Sequence, residues 1–150
     1  MIQFRIATVD DLYKIVEMLA DDELGRVRER FETPLPESYV RAFEAIDSDP
    51  NNELIVSCLN EEIVGVLQLT FTPYLTHQGS WRATIEGVRT ASSVRGEGMG
   101  SQLIQWAIER AKERGCHMVQ LTTDKKRADA LRFYERLGFT ATHEGLKMKL

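Results

Sequence analysis

The sequence predicts a mixed α/β sandwich in the order β-α-α-β-β-β-α-β-α-β. Three observations carry that prediction. Apolar residues alternate with polar ones at the N-terminus, and two apolar runs lie close together near the middle, as strands do. Stripes at helical spacing end at isolated glycines, the signature of amphipathic helices with left-handed caps. Strands and helices do not alternate regularly, which sets the chain apart from a parallel dinucleotide-binding unit.

The elements follow in order. Ile2, Phe4 and Ile6 alternate with polar neighbours and form a half-buried first strand. Thr8 or Asp10 caps a helix in which Leu12, Ile15, Val16 and Leu19 recur, and Gly25 ends it. Residues 26–31 are charged and ambiguous. Past Pro34 and Pro36 a second helix carries Tyr39, Val40, Phe43 and Ile46 on one face. Residues 47–52 are a loop. The runs 53–59 and 63–71, split by Asn60, Glu61 and Glu62, make an antiparallel hairpin. A polar connection over 73–80 leads to a strand at about 82–90. A helix with Leu103, Ile104, Ala107, Ile108 and Ala111 follows and closes at Gly115. Residues 118–122 read as an inner strand and 128–137 as a helix closed by Gly138. One or two short strands around Glu144 and Gly145 end the chain.

Composition narrows the classes. The 150 residues are 43% hydrophobic, enough for one domain spanning 1–150. Nineteen basic against 23 acidic side chains give a net charge of −4, which argues against sequence-independent nucleic-acid binding. No apolar run is long enough for a membrane span, and residues 1–10 lack a secretory leader. Cys58 and Cys116 are too few for a disulfide framework. A cytoplasmic protein without membrane attachment is expected.

The most informative stretch is Arg95-Gly96-Glu97-Gly98-Met99-Gly100-Ser101, between a strand and an amphipathic helix. Glycines let the backbone turn tightly and bring its N–H groups to a ligand. At a helix N-terminus those groups bind phosphate, and Arg95 adds a cation. The lysine of a nucleotide-hydrolysing loop is missing. The dinucleotide pattern fails as well, because Ser101 stands where its third glycine belongs. What remains is Arg-x-x-Gly-x-Gly, or a tight turn that uses glycine for geometry alone.

Arg95, Gly98 and Gly100 resemble the pyrophosphate signature of the GNAT acetyltransferase family. The segment from Ala130 through Phe133-Tyr134-Glu135 to Gly138-Phe139 resembles its second signature, and Ala7-Thr8 with Asp11-Leu12 resembles its N-terminus. The resemblance implies the acyl-CoA acyltransferase fold, a mixed, mostly antiparallel sheet flanked by helices. It also implies acetyl transfer from acetyl-CoA to a primary amine of a small molecule or peptide, by direct attack in a ternary complex.

Such chemistry needs a base for an ammonium of pKa about 10, a donor for the oxyanion and a proton for the departing thiolate. The resemblance makes Tyr134 the general acid; otherwise it is an amphipathic packer like Phe133. The resemblance implies a place beside the cofactor for Phe133, which is assigned mainly to packing. Glu86, an acid within an apolar-leaning strand, is the base or a solvent-facing residue, with Asp124 as second choice. The resemblance implies that the pantetheine arm adds to the sheet at Val88 and Thr90, flanking Arg89, and Gly87 fits a bulge or serves close packing. The resemblance assigns coenzyme binding to Arg95, Gly96, Glu97, Gly98, Met99, Gly100 and Ser101. Arg127 stands where the family commonly has asparagine, and either holds a coenzyme phosphate or belongs to a solvated turn.

His77, His117 and His143 lack ligand spacing, so no metal is expected, and Cys116 shows no sign of a nucleophile. Trp81 and Trp106 read as packing, with Trp81 also placed to line an acceptor pocket. Asp21, Asp22, Glu23, Glu29, Glu32 and Glu37 either suit a cationic acceptor or form a solubilising face. The alternative to an enzyme is a non-catalytic acyl-CoA-binding module that senses the ligand on the same fold. Oligomeric state stays open, dimers being common in the family.

Overall fold

The computed structural model describes all 150 residues, which fall into two compact units, Met1–Gln120 and Leu121–Leu150. The first contains β1 (Ile2–Ile6), α1 (Leu12–Ala20), α2 (Glu23–Arg28), α3 (Glu37–Ser48), β2 (Asn52–Leu59) and β3 (Glu62–Pro73). It continues through a one-turn segment α4 (Thr76–Gly79), β4 (Trp81–Thr90) and α5 (Met99–Glu113). β5 (Met118–Leu121) completes a five-stranded sheet in the order β1-β2-β3-β4-β5.

β1 through β4 pair antiparallel. The β2–β3 hairpin closes on Asn60 and Glu61, both at positive φ (52° and 68°), as a two-residue turn matched to strand twist requires. β5 runs parallel to β4, because the His117 amide donates to Trp81 O (3.0 Å) while Gln120 further along reaches Thr84 (3.1 Å).

Alternation places two apolar sets on opposite faces. Val56, Cys58 and Val66 pack with Leu12, Ile15, Val16, Met18 and Phe43 from α1 and α3. Leu67, Leu69, Phe71, Ala83 and Ile85 cover the other face, where α5 buries Leu103, Ile104, Ala107 and Ala111. Burying one such side chain contributes about 1.5–3 kcal/mol. Arg110 clamps Glu53 with two bonds of 2.8 and 2.6 Å, and Arg114 lies 4.0 Å over the Phe71 ring. α5 is thereby fastened to β2 and β3.

Both predicted glycine caps form. After α5, Gly115 N donates to Lys112 O and Cys116 N to Ala111 O, each at 3.0 Å, with Gly115 at φ +76°. In the second unit α6 (Ala130–Arg136) ends in the same way. Gly138 N donates to Glu135 O (3.0 Å) and Phe139 N to Tyr134 O (3.1 Å), with Gly138 at φ +102°.

Two expectations are corrected. Gly25 does not end the first helix; α1 stops at Ala20, and Asp22 caps α2 by accepting from the Gly25 amide at 2.5 Å. Gly25 is buried because a Cβ there would strike Leu19 O, so small size rather than left-handed φ places it. The final strands are also absent. Residues 141–150 are exposed and join no ladder, and apolar alternation at Leu146, Met148 and Leu150 makes no strand without a partner for its backbone. The expected terminal β element is therefore missing from the observed order.

Candidate active site

β4 and the loop after it make the central feature. Gln68 faces Glu86 while Val66 faces Arg89, so β4 carries an extra residue between them. Gly87 sits there at φ +63°, the bulge expected from sequence. β5 meets β4 at Trp81 and Thr84. β5 has four residues against ten in β4. Arg89 turns its own Nη1 back onto Val88 O (2.8 Å), and its Nε lies 3.7 Å from Asp22.

Beyond β4 a 3-10 turn (Ser92–Val94) leads to the glycine loop. Gly96 and Gly98 adopt φ of +84° and +78°, and a Cβ on either would meet nothing within 4 Å. That space lies open. The amides of Gly98, Met99, Gly100 and Ser101 find no acceptor in the protein, the first bond of the helix being Gln102 N to Gly98 O (3.2 Å). Four free donors at the positive end of a 15-residue helix fit a diphosphate. Glu97 is exposed, and its amide is spent on Val94 O (3.2 Å).

Residues 15–139 match the Acetyltransferase (GNAT) family over the length that holds both motifs. The chain belongs to the GNAT acetyltransferases. It is 31% identical over 144 residues to the aminoalkylphosphonate N-acetyltransferase of Salmonella typhimurium, covering 94% of this chain and 86% of that one. It is 38% identical to the streptothricin acetyltransferase of Streptomyces lavendulae, with 91% and 67% covered. A solved Bacillus halodurans transcriptional regulator shares 71% identity across the full length of both chains, with a TM-score of 0.97. GNAT enzymes use acetyl-CoA, and this GNAT chain has no helix long and apolar enough to cross a membrane.

Glu86 is exposed, and its side chain makes no hydrogen bond or ion pair. Arg95 donates to Asp21 O (3.2 Å) and lies 3.7 Å from the Asp21 carboxylate, a partner that sequence spacing concealed. In the second unit Tyr134 is half-buried, its ring edge-on to Phe133 and Phe139 at centroid distances of 5.1 and 5.8 Å. Asp124 is engaged in a turn with the amides of Lys126 and Arg127 (both 2.9 Å), which places Arg127 in that turn.

Of the six acidic residues considered for a cationic acceptor, four have an arginine neighbour, Glu29 meets only a neutral hydroxyl, and Glu23 has no ion pair. Asp21 meets Arg95, Asp22 meets Arg89, Glu29 accepts from Tyr39 (2.7 Å), Glu32 meets Arg30 and Glu37 meets Arg41. Burial and then Glu29 push the Tyr39 hydroxyl above its ordinary pKa. Burial likewise raises the Cys116 thiol, in keeping with an inert cysteine. Trp106 stacks on Phe4 at 5.7 Å, and Trp81 begins β4. The fold brings the His77 and His117 rings to 5.5 Å, a neighbourhood that separate positions in the chain did not reveal.

Sequence reading also passed over Arg82. The signal was present: Arg82, Thr84 and Glu86 alternate with Ala83 and Ile85, marking one face of β4 as polar.

Proposed function

We propose that this GNAT chain, as one domain over residues 1–150, transfers the acetyl group of acetyl-CoA to a primary amine by direct attack within a ternary complex. One observation carries the reading: four unclaimed amides at Gly98–Ser101, in the glycine loop that follows a bulged strand. Bound acetyl-CoA supplies the activated acetyl group. Val88 and Thr90 offer backbone partners to its extended arm, with Arg89 between them. The loop from Arg95 and Gly96 through Glu97 to Ser101, Met99 and Gly100 included, holds the diphosphate, and Arg127 and Phe133 complete the contacts assigned by the family resemblance.

Glu86 takes the proton from the incoming ammonium, directly or through water, which frees a lone pair. Its exposure and lack of any partner leave both carboxylate oxygens available. The Val88 amide donates to the negative charge that develops on the acetyl oxygen. Tyr134 donates its hydroxyl proton to the departing sulfur. Acetyl-transferring relatives of two different acceptor types support the enzyme reading.

A second reading, an acyl-CoA sensor without turnover, draws support from the 71% identical transcriptional regulator. Thiol release from acetyl-CoA across a panel of amines separates the two. The enzyme reading expects amine-dependent release that falls by about 10²-fold or more in Glu86→Gln. Tight coenzyme binding with no amine-dependent release, alike in wild type and variant, establishes the sensor instead.

A further inference from the structure

We propose that the acceptor is a zwitterion whose anionic group is held by Arg82, an inference that rests on the acetyl-transfer reading above. Arg82 is half-buried on the polar face of β4. Its guanidinium lies 4.4 Å over the Tyr74 ring, and Nη1 donates to Gln120 Oε1 at 3.3 Å. Gln120 is itself oriented, because its Nε2 donates to Thr84 Oγ1 at 3.1 Å. The guanidinium is thus aimed by an aromatic ring and by a tethered amide.

No carboxylate pairs with it. Arg5, Arg30, Arg41, Arg89, Arg95, Arg110, Arg114 and Arg132 each have an acidic neighbour; Arg82 has none, and unlike the exposed Arg26 and Arg136, which also lack one, it is half-buried with its Nε buried without an acceptor. A half-buried cation with a donor to spare calls for an oxyanion, and the planar fork of arginine suits carboxylate or phosphonate.

The same face carries the complementary charge. Glu86, also without a partner, lies four residues along β4, so the two Cα atoms are about 13 Å apart at the rise of an extended strand. Between them stands Thr84, and opposite lie Thr72, Thr70 and Gln68 in register with Arg82, Thr84 and Glu86. This floor offers hydroxyls and amides rather than apolar surface. An acceptor lying along it meets a carboxylate at its amine and a guanidinium at its oxyanion. The spacing favours amines whose acid group is several bonds away over those that bear both on one carbon.

The test compares ω-aminoalkyl carboxylates and phosphonates of graded length with the matching alkylamines. Wild-type protein is expected to favour the zwitterions by about ten- to a hundred-fold in kcat/KM, mostly through KM. Arg82→Gln is expected to collapse that ratio towards one, and Arg82→Lys to keep part of it. Equal use of both acceptor types by wild type, or a preference that survives Arg82→Gln, overturns the proposal. Should no amine be acetylated at all, acetyl transfer fails as a reading, and calorimetry with the amine-free alkyl carboxylates and phosphonates decides the subsite alone. Binding that Arg82→Gln abolishes then sustains it; no binding to wild type refutes it.

Discussion

Two helices follow the two family motifs, and the chain anchors them differently. α5 buries Leu103, Ile104, Ala107 and Ala111, each at 1% exposure or less, beneath the loop proposed to act through its backbone amides. α6 buries no side chain, and its assigned contribution is a single hydroxyl on Tyr134. A main-chain grip is as good as the placement of its backbone, so it needs a rigid core below it. A side-chain proton donor sits on its own rotatable bonds and tolerates a lightly packed helix. On the proposed acetyl-transfer reading, substitutions around α5 are expected to alter stability and coenzyme affinity, and those on α6 turnover.

The largest effect belongs to the lightly packed helix. Tyr134→Phe keeps the ring and its edge-on neighbours but removes the proton, so kcat should fall by about 10²-fold or more. Steady-state kinetics with thermal melts checks this, and a drop in melting temperature that matches the lost activity would break the comparison. Next comes the core. Leu103→Ala, at 0% exposure, should cost about 2–5 kcal/mol in urea unfolding. Leu131→Ala on α6, at 47% exposure, should stay within about 0.5 kcal/mol. Equal costs would show α6 to be anchored as firmly as α5.

A smaller change sharpens the role of the loop. Gly98 holds φ +78°, where a β-branched residue is strained by about 1–2 kcal/mol. Gly98→Val should weaken coenzyme binding by about tenfold in calorimetry while Leu103 and its neighbours stay packed. Unchanged affinity would remove the backbone amides from the grip.

The fold was largely legible where pattern and chemistry agree locally. The hairpin, the α5 stripe, the Gly115 and Gly138 caps and the Gly87 bulge are each written within a few residues, so periodicity and backbone preference suffice. Gly25 misled because its reason is steric, a carbonyl of Leu19 that only the folded chain brings near. The terminal strands misled because alternation specifies a face and not a pairing partner. At the site, the glycine loop could be read from spacing. The partners Asp21 for Arg95 and Gln120 for Arg82 could not, since each joins segments far apart in the chain.

The same contrast extends to charge. In the first unit Arg5 clamps Asp11 with bonds of 2.6 and 3.0 Å, and Asp11 also accepts from the Thr8 amide at 2.7 Å, tying β1 to the start of α1. Arg5 first, then the Thr8 amide against the opposing pull of burial, holds the Asp11 carboxyl below its ordinary pKa. A lowered folded-state pKa means that the unfolded chain takes up the proton first on acidification. The stabilisation is therefore complete above the unfolded value of about 3.9 and is lost as pH falls through the lower folded value. In the second unit Lys125–Glu144 (3.9 Å) and Arg132–Asp129 (3.2 Å) join well-exposed side chains and add little. Asp11→Asn should cost about 1 kcal/mol at neutral pH, Arg5 being half-exposed, and should flatten the acid limb of a melting-temperature profile below about pH 4. Glu144→Gln should leave that limb in place. An acid limb that follows Glu144 instead of Asp11 would locate the pH-sensitive stability in the unit with no buried core.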